Sequence, residues 1–150
     1  MIEFTIPVCP VTKKNHSQII AKTGRHTGKG QVIYVKGKNG ASIPVTLYIV
    51  PSPQYQKYER ACKKFIPAEN IDYPVNVKAV FYMETRRAVD ITNLHQALHD
   101  ILKKYGCVKD DNCNFIYSTD GSYVAYDKQN PRTEVTITKL DGVTVLRDQK

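Results

Sequence analysis

The most regular spacing of apolar positions lies between residues 88 and 112. Leu94, Ala97, Leu98, Ile101, Leu102 and Tyr105 recur at i, i+3, i+4, i+7, i+8 and i+11, the stripe of an amphipathic helix. The opposite side carries His95, Gln96, His99, Asp100, Lys103 and Lys104. Asp90 or Thr92 can cap the start, and Gly106 can take the left-handed conformation that ends the helix. A helix of about 14 residues is roughly 21 Å long. Asp90 therefore sits at one end, while Asp110 and Asp111 lie in the loop beyond the other. These acids meet only if the chain after Gly106 runs back along the helix, as a strand over 112–118 would, or if a second subunit supplies the partner.

The rest of the chain alternates at the strand period. Residues 3–8 form a first strand, ended by Pro7 and Pro10. Residues 31–36 and 43–50 read as two strands joined by the hairpin signal Gly37-Lys-Asn-Gly40. Between the first strand and this hairpin, residues 18–30 are polar and glycine-containing, which predicts a mobile segment able to close over a phosphate backbone. Ser52 can cap a helix over 54–66 whose stripe is Tyr55, Tyr58, Cys62, Phe65 and Ile66. The strongest strand pattern is 73–83, with Val75, Val77, Ala79 and Phe81 on one side. Short strands at 112–118 and 122–126 flank a turn at Thr119-Asp-Gly121, and a last strand spans 132–140. The expected fold is α+β: one domain over 1–140, a mixed sheet with two main helices packed on it, and a loosely held tail over 141–150.

Length and composition fit this picture. The chain has 150 residues, long enough for a real core, with 41% hydrophobic and 24% charged residues. No apolar run approaches the ~20 residues that span a bilayer. The start shows no signal-peptide pattern, and Cys9, Cys62, Cys107 and Cys113 form no C-x-x-C pair. These features point to a cytoplasmic protein with free thiols. Charge changes the picture more. The net charge is +8, and no Asp or Glu occurs from Phe4 to Tyr58, where eight Lys and Arg residues lie. A one-sided field of this kind attracts polyanions.

Candidate chemistry centres on Asp90, Asp100, Asp110 and Asp111. Hard cations such as Mg²⁺ are held by one or two carboxylates with water and phosphate. Beside a basic surface, such a site suits phosphodiester hydrolysis. The structural alternative makes Asp90 a cap, pairs Asp100 with Lys103 or Lys104, and leaves Asp110–Asp111 as a solvated turn. His95 and His99, one helical turn apart, have a spacing compatible with zinc, although exposed polar positions also explain them. The ten tyrosines could stack on unpaired bases. No phosphate-binding glycine loop and no Ser/His/Asp triad stands out.

Two stretches carry a family resemblance. The opening Met1–Asn15, which contains Lys13, Lys14 and Asn15, is similar to the start of RusA-type Holliday junction resolvases. So is the run from Arg86 and Arg87 through Asp90, Asn93, Leu94, Asp100 and Gly106 to Asp110 and Asp111, and the closing Pro131–Ile137. The resemblance covers residues 1 to about 140, with 21–50 longer than the family pattern. It implies a homodimeric endodeoxyribonuclease, of phage or prophage type, that needs Mg²⁺ (or Mn²⁺) and cuts four-way DNA junctions by paired nicks. By position, Asp90, Asp111 and Asp110 would be the metal ligands, with Asp100 close to the catalytic group. Lys13, Lys14, Asn15, Arg86 and Arg87 would contact DNA. Two positions depart from the pattern: Thr92 stands where the family has a second acid, and Gln96 where it has a lysine. The alternatives are therefore a weakened nuclease, a junction-binding protein of the same fold, or a basic protein-binding module of a mobile element.

Overall fold

The computed structural model describes residues 1–13, 17–26, 28 and 30–146. Its main sheet is built around β5 (Val75–Met83). On one side β5 pairs antiparallel with β8 (Arg132–Lys139), which pairs antiparallel with β1 (Ile2–Ile6). On the other side β6 (Ile116–Ser118) and β7 (Tyr123–Tyr126) follow one another along β5, both parallel to it. The expected mixed sheet is thus present. Val75, Val77, Ala79 and Phe81 of β5 are all buried, as their alternation requires, beside Val135 and Ile137 of β8.

Two helices close the core. Helix α1 (Pro53–Cys62) starts as its sequence directs: Ser52 Oγ accepts from the Tyr55 amide at 3.1 Å, and Pro53 occupies the first turn. It ends sooner than expected, and Lys63–Phe65 forms a 3-10 turn. Tyr55, Tyr58 and Cys62 are buried, while Phe65 and Ile66 pack partly exposed against the core. Helix α2 (Ile91–Lys104) buries Leu94, Ala97, Leu98, Ile101 and Leu102. Asp90 provides its cap, accepting from the Thr92 amide at 2.8 Å, and Gly106 follows with φ +76°. The four cysteines are all free thiols. Beyond β8, Val145 is buried. No helix among the described residues is long and apolar enough to cross a membrane.

Two expectations are corrected. Residues 18–30 are not uniformly irregular: β2 (Ser17–Thr23) pairs along its whole length with β4 (Ser42–Pro51). With β3 (Gln31–Lys36) they form a separate antiparallel sheet in the order β2-β4-β3. The expected hairpin is β3 and β4; the added strand is satisfied by the remaining edge of β4, a pairing outside the reach of local pattern. Residues 112–118 do not form one strand running back along α2. Only 116–118 is extended, because the Asn112 carbonyl takes the amides of both Phe115 and Ile116 at 3.0 Å and turns the chain.

Candidate functional site

The route from α2 to β6 positions the acids. After Gly106 the chain lies beside Ile71: the Ile71 amide donates to the Cys107 carbonyl, and the Lys109 amide to the Ile71 carbonyl, each at 2.9 Å. This parallel bridge between Ile71 and Val108 directs Asp110 and Asp111 to the polar side of α2. There Lys103 contacts both carboxylates, lying 3.0 Å from Asp111 Oδ1. Asp110 also accepts from the Asp111 amide at 2.9 Å and from Asn112 Nδ2 at 2.6 Å. The Lys103 ammonium, followed by the Asp111 amide, holds the Asp110 carboxyl down, to about 2, and the two acids push the lysine up.

A cavity of about 590 Å³ opens beside this cluster. One wall is the first half of α2, with Ile91, Thr92, His95, Gln96 and His99; Asp111 and, from the turn between β6 and β7, Thr119 and Ser122 supply the rest. That turn is tied to the sheet, since Ser122 Oγ accepts from the Ala79 amide at 3.0 Å and donates to the Thr119 carbonyl at 2.7 Å. Thr119 and Ser122 carried no sequence signal beyond marking a turn.

The histidines are a correction. The helical pattern places them on the solvent side, yet His95 is only 9% exposed and His99 is half-buried. His95 lies edge-on to Phe81 (centroids 5.2 Å apart), and His99 lies 5.4 Å from His95. The reason is tertiary: the sheet and the β6–β7 turn wall in a side of α2 that its own periodicity leaves open. Nδ1 of His95 and Nε2 of His99 are buried without a hydrogen-bond partner. Burial lowers both rings' pKa; His99 falls to about 4, pushed further by His95 and partly restored by Asp111 and Asp100. Both are therefore neutral imidazoles at pH 7, the form that accepts a proton or binds a metal.

The other sequence candidates are dispersed around the cavity. Asp90 is exposed and occupied as the helix cap; its neighbour Ile91, not Asp90 itself, lines the cavity. Asp100 does not pair with Lys103 or Lys104. It binds Lys13 at 2.8 Å, while Lys104 pairs with Glu59 and Lys103 with the acid pair. The Lys13 ammonium also sits 5.9 Å from the Tyr55 ring centroid. Arg86 and Arg87 occupy the exposed loop that leads into α2, and Arg86 lies 4.5 Å over the Tyr126 ring of β7. Arg87 shares a shallow cleft with Val11 and Thr12, next to Lys13. Lys14 and Asn15 lie outside the described residues.

The geometry thus gathers an acid pair, two neutral imidazoles and basic side chains along one helix. Among the described residues, no three His, Cys, Asp or Glu side chains group tightly enough to hold a metal ion. No curated protein matches the chain at a significant level. The model of the endodeoxyribonuclease RusA family matches residues 7–138 and so takes in the β2-β4-β3 sheet, the main sheet apart from β1 and the last residue of β8, both helices and every wall of the cavity. By that match, and in agreement with the α+β architecture, the chain belongs to the RusA family, the endodeoxyribonucleases that resolve Holliday junctions.

Proposed function

We propose that this chain binds four-way DNA junctions as a two-fold dimer and nicks them weakly, at the cavity beside α2. The observation that carries this reading is the cavity wall. Thr92 and Gln96 stand on it with Asp111, both exposed and both neutral, where the family pattern has an acid and a base. A hydroxyl is a poorer ligand for a hard cation than a carboxylate, and an amide cannot neutralise a phosphate.

RusA-family nucleases depend on divalent metal ions. Mg²⁺, or Mn²⁺ in its place, would supply an activated water and charge for the leaving oxygen. The residues present do not fit a preformed three-carboxylate centre: among the described residues, Asp111 is the one carboxylate in the cavity wall, and Lys103 already engages it.

The chain's own residues account for binding. Arg86 and Arg87 are exposed in the loop at the start of α2, and Lys13, from the loop after β1, pairs with Asp100 of that helix. Arg86 stacked on Tyr126 keeps a planar donor face presented to a phosphate. A two-fold dimer would present two such cavities to the symmetric strands of one junction. The reading is tested by titrating labelled four-way junction and linear duplex, then scoring cleavage in Mg²⁺ and Mn²⁺. A junction preference with slow, paired nicks is expected. Equal affinity for both DNAs would refute it.

A further inference from the structure

The sheet β2-β4-β3 has two unlike faces. The register pairs Ile19 with Ile49, Ala21 and Gln31 with Leu47, Ile33 with Val45, and Val35 with Ile43. Residues paired across antiparallel strands point to the same side. One face is thus mainly aliphatic, with Gln31 and Thr23 as polar members and no charge on it. The other mixes aliphatic residues (Ile20, Val32, Val50) with Lys22, Lys36, Tyr34, Thr46 and Tyr48; Lys22 lies 5.7 Å from the Tyr48 ring, and Arg25 lies 5.6 Å from the Tyr34 ring. On the apolar face Ile19, Ala21, Val35 and Ile49 are exposed, while Ile33, Ile43, Val45 and Leu47 are partly buried. Ile49 is 78% and Ile19 71% exposed, and none of its residues belongs to the hydrophobic core or packs against it.

A contiguous aliphatic surface of this kind marks an interface. We propose that it is the surface through which two copies of this chain associate, face to face, with the tyrosine and cation face turned outward toward DNA. This rests on the two-fold reading above, and it adds where the dyad lies. Charge selects the occupant. Two copies each carrying +8 repel over most of their surfaces, and this uncharged face lets them approach without opposing cations. DNA gains nothing from aliphatic side chains. An isologous contact also needs a self-complementary patch, which a flat aliphatic sheet face provides.

Size is sufficient for a modest dimer. Three strands at ~4.8 Å spacing and seven residues at ~3.4 Å give a face of roughly 14 by 24 Å. Two such faces with their side-chain relief remove on the order of 1,000 Å² from water, near the lower bound for a specific interface. A three-stranded sheet with both faces wet would be marginal on its own, so pairing also stabilises the element.

The test is sedimentation equilibrium of the full chain without DNA, from 1 to 100 µM, for the natural protein, Ile49→Lys and Ile19→Lys. Both side chains are solvent-exposed, so neither substitution disturbs the core, and circular dichroism verifies the fold. A second measurement, amide exchange of residues 17–23 and 42–51, is made at the two ends of the concentration range. The expected result is a natural dimer with micromolar dissociation, weakened at least tenfold by either lysine, and slower exchange in both segments at high concentration. A dimer indifferent to both substitutions would place the dyad elsewhere and overturn the assignment while leaving the two-fold reading intact. A monomer at 100 µM would overturn both. Loss of junction preference in a protein that still dimerises would count against the proposed function alone.

Discussion

Acidification should destabilise this protein through His99, by an amount that can be worked out. The folded state holds His99 at about 4 against an ordinary 6.5, because its ring is buried, its Nε2 has no partner, and His95 lies beside it. The groups facing it are His95 on its own helix, Asp111 from the loop, and Asp100, the two acids opposing the shift. A depressed folded pKa means that the unfolded chain binds the proton first. The stability tied to the neutral ring is complete above pH 6.5 and is lost as pH falls toward 4. The full difference is about 3 kcal/mol, and about 2 kcal/mol of it is lost between pH 7 and pH 5. His95, lowered in the same direction by burial, adds to the loss. Asp110, held at about 2, titrates below this window. Urea unfolding at pH 7, 6 and 5 measures the effect directly, with His99→Gln as the control that cannot titrate. The natural protein should lose stability at each step, and the variant should show a clearly flatter dependence. A natural protein equally stable at pH 7 and 5, or a variant with an unchanged slope, would refute the assignment of a buried, neutral His99.

Three further outcomes are expected. Thr92→Asp should raise Mg²⁺-dependent junction cleavage at least tenfold over the natural protein, more when Gln96→Lys is added, and Asp111→Asn should abolish it; gel-resolved cleavage rates that ignore all three changes would show that the cavity is not the site. Neutralising Arg86 and Arg87 together should lower the slope of log affinity against log salt by about 2, at roughly 0.9 per phosphate contact, as read by anisotropy titration across salt; an unchanged slope removes that loop from the DNA surface. Lys103→Met should let the Asp110 carboxyl rise from about 2 toward its ordinary 3.8, because its strongest partner is gone; carboxyl-detected NMR titration follows this, and an Asp110 that stays low would assign the effect to the Asp111 amide instead.

The match between residue pattern and structure was closest where one element's own side chains decide the outcome. Helix α2 follows from the spacing of Leu94, Ala97, Leu98, Ile101 and Leu102, its cap from Asp90, and its end from Gly106. Strand β5 follows from Val75, Val77, Ala79 and Phe81. Ser52 and Pro53 mark the start of α1 without help from the rest of the chain. These are short-range effects: burial of one face, one capping hydrogen bond, one positive φ.

The candidate site was legible only as an inventory. Asp110 and Asp111 were visible beyond α2, but the bridge between Ile71 and Val108 decided their placement beside Lys103. Asp100 met Lys13, 87 positions away, in place of the lysines three and four residues along its own helix. Helical periodicity sent His95 and His99 to solvent because it counts only the apolar stripe, and the β6–β7 turn and Phe81 enclosed them. Strand β2 gained its place from the open edge of β4. Amino-acid order by itself determined helix α2 with its cap and end, the start of α1, strand β5 and the β3–β4 hairpin, and that the chain is strongly basic. Only tertiary structure decided which acids share a cation, which histidines lose their water, and which sheet face leaves Ile19 and Ile49 exposed, because each depends on contacts between segments that no local period encodes.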